Sequence, residues 1–188
     1  MSKQSLCRIS VSGEAPGVAL AMILTGATCQ AQNIIDGFGM TAGGGESIGV
    51  IRLGVHKDWE KRWFADSSWF LTGRWEAELG HWGDGGSADL SITPILQLKP
   101  SSADSKSHPF LEVGIGPHIL AEDDMNDKKM GGNFHFGSHV GVGYRFGDQN
   151  NWELSYRLQH LSNAGIEDKN PGVEFHLIRL GYSFSDVK

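Results

Sequence analysis

Trp152-Glu153-Leu154-Ser155-Tyr156-Arg157-Leu158-Gln159-His160-Leu161-Ser162 alternates residue by residue. Trp152, Leu154, Tyr156 and Leu158 form an apolar row. Glu153, Ser155, Arg157 and Gln159 form a polar one. A period of two belongs to a β-strand, whose side chains point to opposite faces in turn. The apolar row then changes character, because its next two members are His160 and Ser162.

The same alternation recurs along the chain. Trp69, Leu71, Trp75, Ala77 and Leu79 oppose Thr72, Arg74, Glu76 and Glu78. Phe134, Phe136, Val140, Val142, Tyr144 and Phe146 oppose His135, His139 and Arg145. Eight strands are expected, over Asn33–Thr41, Ile48–Trp59, Ser68–Gly80, Ala88–Leu98, Pro109–Leu120, Asn133–Phe146, Trp152–Ser162 and Val173–Phe184. Turn signals separate them at Gly43-Gly44-Gly45, Asp84-Gly85-Gly86, Gly147-Asp148-Gln149-Asn150 and Asn170-Pro171-Gly172.

A soluble barrel would bury the apolar rows, whereas a membrane barrel turns them to lipid. Both charge signs occur in the polar rows, so a narrow interior could pair them. Trp59, Trp69, Trp82, Phe146, Trp152 and Phe184 fall at strand ends, as interfacial girdles require. The last strand ends on the alternation Ile178, Leu180, Tyr182, Phe184, like the closing strands of bacterial outer-membrane proteins. A sheet in lipid must close on itself, and about eight strands leave an interior that side chains fill. The expected fold is therefore all-β, an eight-stranded antiparallel transmembrane β-barrel with a filled interior. Pro94 and Pro117 fall inside strands and call for bulges or strand ends.

The chain has 188 residues, a formal charge of -6 and no basic patch, which argues against a nucleic-acid partner. At the N-terminus, Lys3 and Arg8 precede an apolar run from Val18 to Ala27 and the small-x-small pattern Cys29-Gln30-Ala31. That reads as a signal peptide over 1–31, leaving 32–188 as the barrel. The run is too short for a spanning helix, which needs ~20 apolar residues. Cys7 and Cys29 leave with the signal, so neither a disulfide scaffold nor a cysteine zinc site is expected.

His160 and Ser162 share a face with the lipid-facing row. Read back from Phe184, the last strand's outward row reaches His176 and then Glu174. Ten residues at ~3.3 Å and ~45° tilt cover ~23 Å, close to the ~25 Å apolar band. His160, Ser162 and Glu174 are thus expected at one interface on neighbouring strands. Polar groups at an interface cost little, so any one of them is unremarkable. Together they have the chemistry of acyl transfer: a hydroxyl to attack, an imidazole to take its proton and a carboxylate to orient the imidazole. Asn163, Ala164 and Gly165 follow directly and are candidates for the oxyanion hole, or equally for a simple turn. His135 and His139 lie on the interior face ~13 Å apart, and Glu122-Asp123-Asp124 with Asp127 lacks EF-hand spacing, so no metal site is expected.

His160-x-Ser162-Asn163-Ala164-Gly165 followed by Asn170-x-Gly172-x-Glu174 resembles the lipid A 3-O-deacylases of the PagL type. Gly114-Ile115-Gly116 and the Trp-rich segment from Trp59 to Trp82 extend the resemblance more weakly. It implies an eight-stranded outer-membrane barrel in a Gram-negative bacterium with its site at the outer leaflet. Ser162 would be nucleophile, His160 base and Glu174 the orienter of His160. The implied reaction hydrolyses the ester at position 3 of lipid A and releases a 3-hydroxy fatty acid, with no metal and no cofactor. The implied partners are lipid A and the outer membrane, with a homodimer left open. The contrasting reading is a non-catalytic structural or adhesive small barrel, in which Ser162 would be replaceable.

Overall fold

The computed structural model describes residues 34–83, 87–101, 108–122, 124–125, 128–167 and 172–184. The expected signal segment, most of the Asp84–Gly86 and Asn170–Gly172 turn residues and the tail after Phe184 lie outside them. Among the described residues there are ten strands: β1 (Gly37–Gly45), β2 (Ile48–Asp58), β3 (Trp69–Trp82), β4 (Ser87–Pro100), β5 (His108–Leu120), β6 (Asp124–Met125), β7 (Lys128–Lys129), β8 (Phe134–Phe146), β9 (Trp152–Ser162) and β10 (Val173–Ser183). Eight of them close a barrel in the order β1-β10-β9-β8-β5-β4-β3-β2, and β6 with β7 forms a small hairpin in the β5–β8 connection. Every barrel pairing is antiparallel. Gly37 at the start of β1 pairs with Ser183 at the end of β10, so both ends of the barrel chain emerge at one rim.

The barrel is inside-out, as a membrane barrel must be. Leu53, Leu79, Ile92, Ile115, Val140 and Ile178 stand exposed on its outer wall. Arg52, Arg74, Glu76, Glu112, Glu153, Arg157 and Arg179 are buried within it. These charges are paired. Arg157 lies 2.6 Å from Glu76 and 2.7 Å from Glu112. Glu153 takes Arg74 at 2.8 Å, Arg179 at 3.1 Å and Arg145 at 3.2 Å. Mutual pairing offsets the cost of burying ionised groups in the interior.

An aromatic belt runs around the rim that holds the chain ends. Phe38 packs on Tyr182, Tyr182 on Trp152 and Trp152 on Phe146. Trp59 folds onto the outer wall, where its ring occupies the space a side chain at Gly73 would need. Trp82 departs from the girdle expectation. It is 1% exposed, packs edge-on against Phe175 at 4.8 Å and donates its indole N–H to Asp89 at 3.0 Å. Its position in β3 puts it on the inward face, with Arg74 and Glu76.

Two further expectations need correction. Gly43-Gly44-Gly45 belongs to β1, and the turn is Glu46-Ser47, with φ of 50° and 66°. Two successive positive φ values are what a tight hairpin loop demands, and these two residues adopt them without glycine. The glycines instead admit β10, because a Cβ at Gly43 would strike the His176 carbonyl and one at Gly45 the Glu174 carbonyl. Pro94 and Pro117 sit in mid-strand and need no bulge. Ser91 pairs with His118 and Ile95 with Gly114 in an unchanged register, while the ladder across β4–β5 is interrupted between them. Both prolines lose their donors on this one seam, and each keeps its register partner on the other side, Trp75 and Phe136.

Candidate active site

The amphipathic pattern inverts at the rim away from the chain ends. On β9 the inward row runs Glu153, Ser155, Arg157, Gln159 and then Leu161. On β10 it runs from Arg179 to Leu177, Phe175 and Val173. These apolar members join Ile48, Val50, Trp82, Leu120 and Met130 in a buried plug. The outward rows change the other way, from Leu158 to His160 and Ser162, and from Ile178 to His176 and Glu174. A dry core therefore lies directly behind a polar outer patch.

Register brings two expected residues together. His160 and Glu174 are directly opposed across β9 and β10, with Nδ1 3.5 Å from Oε1. Their side chains are 49% and 78% exposed, so the pair faces outward. The other ring edge, at Cε1 and Nε2, lies against Gly172, whose φ is 59°. The β9–β10 ladder ends at Val173 with Leu161, one residue short of Gly172 and Ser162. Nδ1 is thus turned to the carboxylate, and Nε2 to Gly172. Ser162 is half-buried, and among the described residues it has no hydrogen bond to His160.

The segment after Ser162 is a built turn. Asn163 is buried; its Oδ1 accepts from the Gly165 N–H at 2.9 Å and its Nδ2 donates to the Gly131 carbonyl at 3.0 Å. Ile166 N–H donates to the Asn163 carbonyl. Ala164 and Gly165 both take positive φ, 55° and 80°. The Asn163 side chain therefore ties the β9–β10 connection to the β5–β8 connection, whose Met130 fills the plug.

Some neighbours were not anticipated. Ser138 lies directly across from His160 on the β8 side, opposite Glu174 on the β10 side. A depression of about 260 Å³ lies beside the pair, lined by Ser138, Val140, Leu158, His160 and Glu174 among others. Tyr156 and His176 share a hydrogen bond of 2.6 Å further along the outer wall. The signal for Ser138 was present, since it is the polar interruption of an otherwise apolar outward row.

The pattern of the family described as lipid A 3-O-deacylase (PagL) matches residues 49–183. Lipid A deacylase PagL of Pseudomonas aeruginosa is 32% identical over 152 residues, covering 79% of this chain and 84% of that protein. Lipid A deacylase PagL of Bordetella bronchiseptica is 35% identical over 75 residues, 40% of each. A solved structure described as the crystal structure of the outer membrane enzyme PagL superposes with a TM-score of 0.71 at 30% identity, over 78% of this chain and 98% of that one. The chain belongs to the PagL family of lipid A 3-O-deacylases, outer-membrane β-barrels of eight strands.

Proposed function

We propose that this chain is a serine esterase that hydrolyses the acyl ester at position 3 of lipid A from the outer leaflet. Ser162 attacks the ester carbonyl carbon while His160 Nε2 takes its proton. The carbon–oxygen bond to the sugar then breaks, and His160 returns the proton to the departing sugar oxygen. Water attacks the acyl-enzyme with His160 again as base, which frees a 3-hydroxy fatty acid and restores the Ser162 hydroxyl. Glu174 holds the imidazole in the tautomer with Nε2 free and stabilises its cation. The observation that carries this reading is the direct opposition of His160 and Glu174 at 3.5 Å on the outer wall, with Ser162 next on the same row. Of the oxyanion candidates, Ala164 supplies the N–H, because Gly165 N–H is held by Asn163, which acts as the former of the turn. The outer-leaflet placement is supported by the position of the patch at the rim opposite the chain ends.

Mass spectrometry of lipid A from cells expressing the chain tests this. One 3-hydroxyacyl group is expected to be lost, and Ser162→Ala is expected to restore the parent mass. Unchanged lipid A from a well-folded protein, or full activity in Ser162→Ala, would return the chain to a non-catalytic role.

Gly172 supplies a second test. A Cβ there would lie 2.9 Å from His160 Cε1 on a backbone with φ of 59°. Gly172→Ala is expected to displace the ring and to cost roughly tenfold or more in kcat, since small misplacements of reacting groups carry large penalties. Strand content by circular dichroism should stay that of the parent.

A further inference from the structure

Tyr156 and His176 set a polar pair into the lipid-facing wall below the active site. Tyr156 stands in the outward row of β9 between Leu154 and Leu158, and His176 in that of β10 between Glu174 and Ile178. Both are exposed, and the phenol oxygen lies 2.6 Å from His176 Nδ1. His176 is directly opposed to Leu158, one row step from the His160–Glu174 pair. A neutral imidazole carries one N–H and a phenol one O–H. One of these two hydrogens makes the bond between the rings, whichever way that bond points. The other is left over, as His176 Nε2–H in one tautomer and as Tyr156 O–H in the other. The pair therefore always offers one donor. Hydrocarbon supplies no acceptor for it, and an unmet donor there is costly.

Depth and neighbourhood narrow down the acceptor. From Ser162 down to the level of Leu158 and His176 is ~13 Å along the strand, or ~9 Å along the membrane normal at ~45° tilt. The carbonyls that join acyl chains to a sugar lie at the depth of the reacting ester, above the pair. An oxygen carried on an acyl chain a few bonds beyond its carbonyl lies lower, and the length of the two side chains spans part of the remaining distance. Beside position 3 of the lipid A sugar, position 2 bears an N-linked acyl chain, and chains on adjacent sugar carbons descend side by side. The depression next to His160 reaches Ser138 and Val140 of β8, whereas the polar pair lies toward β10. A chain from position 2 that passes on the β10 side of Ser162 runs over Tyr156 and His176.

We propose that the Tyr156–His176 pair donates one hydrogen bond to an oxygen at carbon 3 of the acyl chain on sugar position 2, and so selects substrates whose uncleaved neighbouring chain is oxygenated there. The assignment rests on the reading of the site as a 3-O-deacylase with Ser162 as nucleophile. Three glucosamine 3-O-esters test it, alike except that the N-linked chain is unsubstituted, 3-hydroxylated or 3-acyloxylated. Each is turned over by the full-length protein in detergent micelles. The parent is expected to prefer an oxygenated substrate over the unsubstituted one by roughly three- to tenfold in kcat/KM, the usual worth of one neutral hydrogen bond. The better of the two tells whether a hydroxyl or an ester oxygen is the acceptor. Tyr156→Phe combined with His176→Phe removes both donors and should bring the ratio to about one. Both replacements are apolar and face lipid, so the barrel should fold as the parent does. A parent with no preference, or a ratio unchanged in the double variant, overturns the assignment. So does an equal fall on all three esters, which would mark the pair as a support for Glu174 and His160. Ser162→Ala is measured alongside: if it stays active the nucleophile reading fails, whatever the double variant does to the ratio.

Discussion

His160→Ala is expected to lower kcat/KM for lipid A deacylation by about 10⁴-fold or more, the range in which loss of the base of a hydrolytic triad falls. In the proposed mechanism, loss of the imidazole leaves Ser162 with its proton at neutral pH and the sugar oxygen with no acid to leave with. The two losses coincide in one residue, which is why the effect is large. Glu174→Gln should be milder, about 10²-fold, because Glu174 is 78% exposed and 3.5 Å from Nδ1, so its charge acts through a partly polar medium. Combining His160→Ala with Ser162→Ala should cost little beyond either alone, since residues that act as a unit are not additive. Initial rates of the purified variants measure all four cases. Two single losses that multiply in the double variant would mean that His160 and Ser162 do not act together.

The second large effect concerns the barrel itself. Glu153 is shared by Arg74, Arg145 and Arg179, and its removal leaves three guanidinium groups in the filled interior with one fewer carboxylate. Glu153→Leu is expected to destabilise the folded barrel by about 3–5 kcal/mol, the cost of breaking a buried pair by removing one partner. Lys57→Ala is the contrast. Lys57 meets Asp36 at 2.8 Å but is about half exposed, and such pairs contribute no more than about 1 kcal/mol. Urea midpoints in lipid vesicles, read with the slope held constant, separate the two.

The outer wall was legible in the sequence because period-two rows survive any small error in strand limits. Trp152–Ser162 reads as a strand, and β9 has those same ends. The partnership of His160 with Glu174 was legible for the same reason, since sequence-adjacent strands pair and both residues continue apolar rows. The turn after β1 was not. Glycines ordinarily mark turns, yet here they clear the way for a neighbouring strand, a requirement that exists only once β10 is in place. Pro94 and Pro117 each look like a defect in a linear reading, and only the pairing of β4 with β5 shows that they share one seam. The turn-forming role of Asn163 was legible, and its Oδ1 accepts from the Gly165 N–H; the tie of its Nδ2 to the Gly131 carbonyl, 32 residues away, lies beyond any local rule. Ser138 stands out in the sequence as the polar interruption of the β8 outward row, but its place beside His160 appears only once β8 is laid along β9.

His160 and Glu174 point outward from the wall. An enzyme arranged in this way meets its substrate by lateral diffusion in two dimensions. Its rate should follow the mole fraction of substrate among the surrounding lipids and not the amount per litre. Inert phospholipid or detergent should slow it by dilution alone, with no affinity for the protein. The freed fatty acid is left in the same plane, as a neighbour of the barrel that made it.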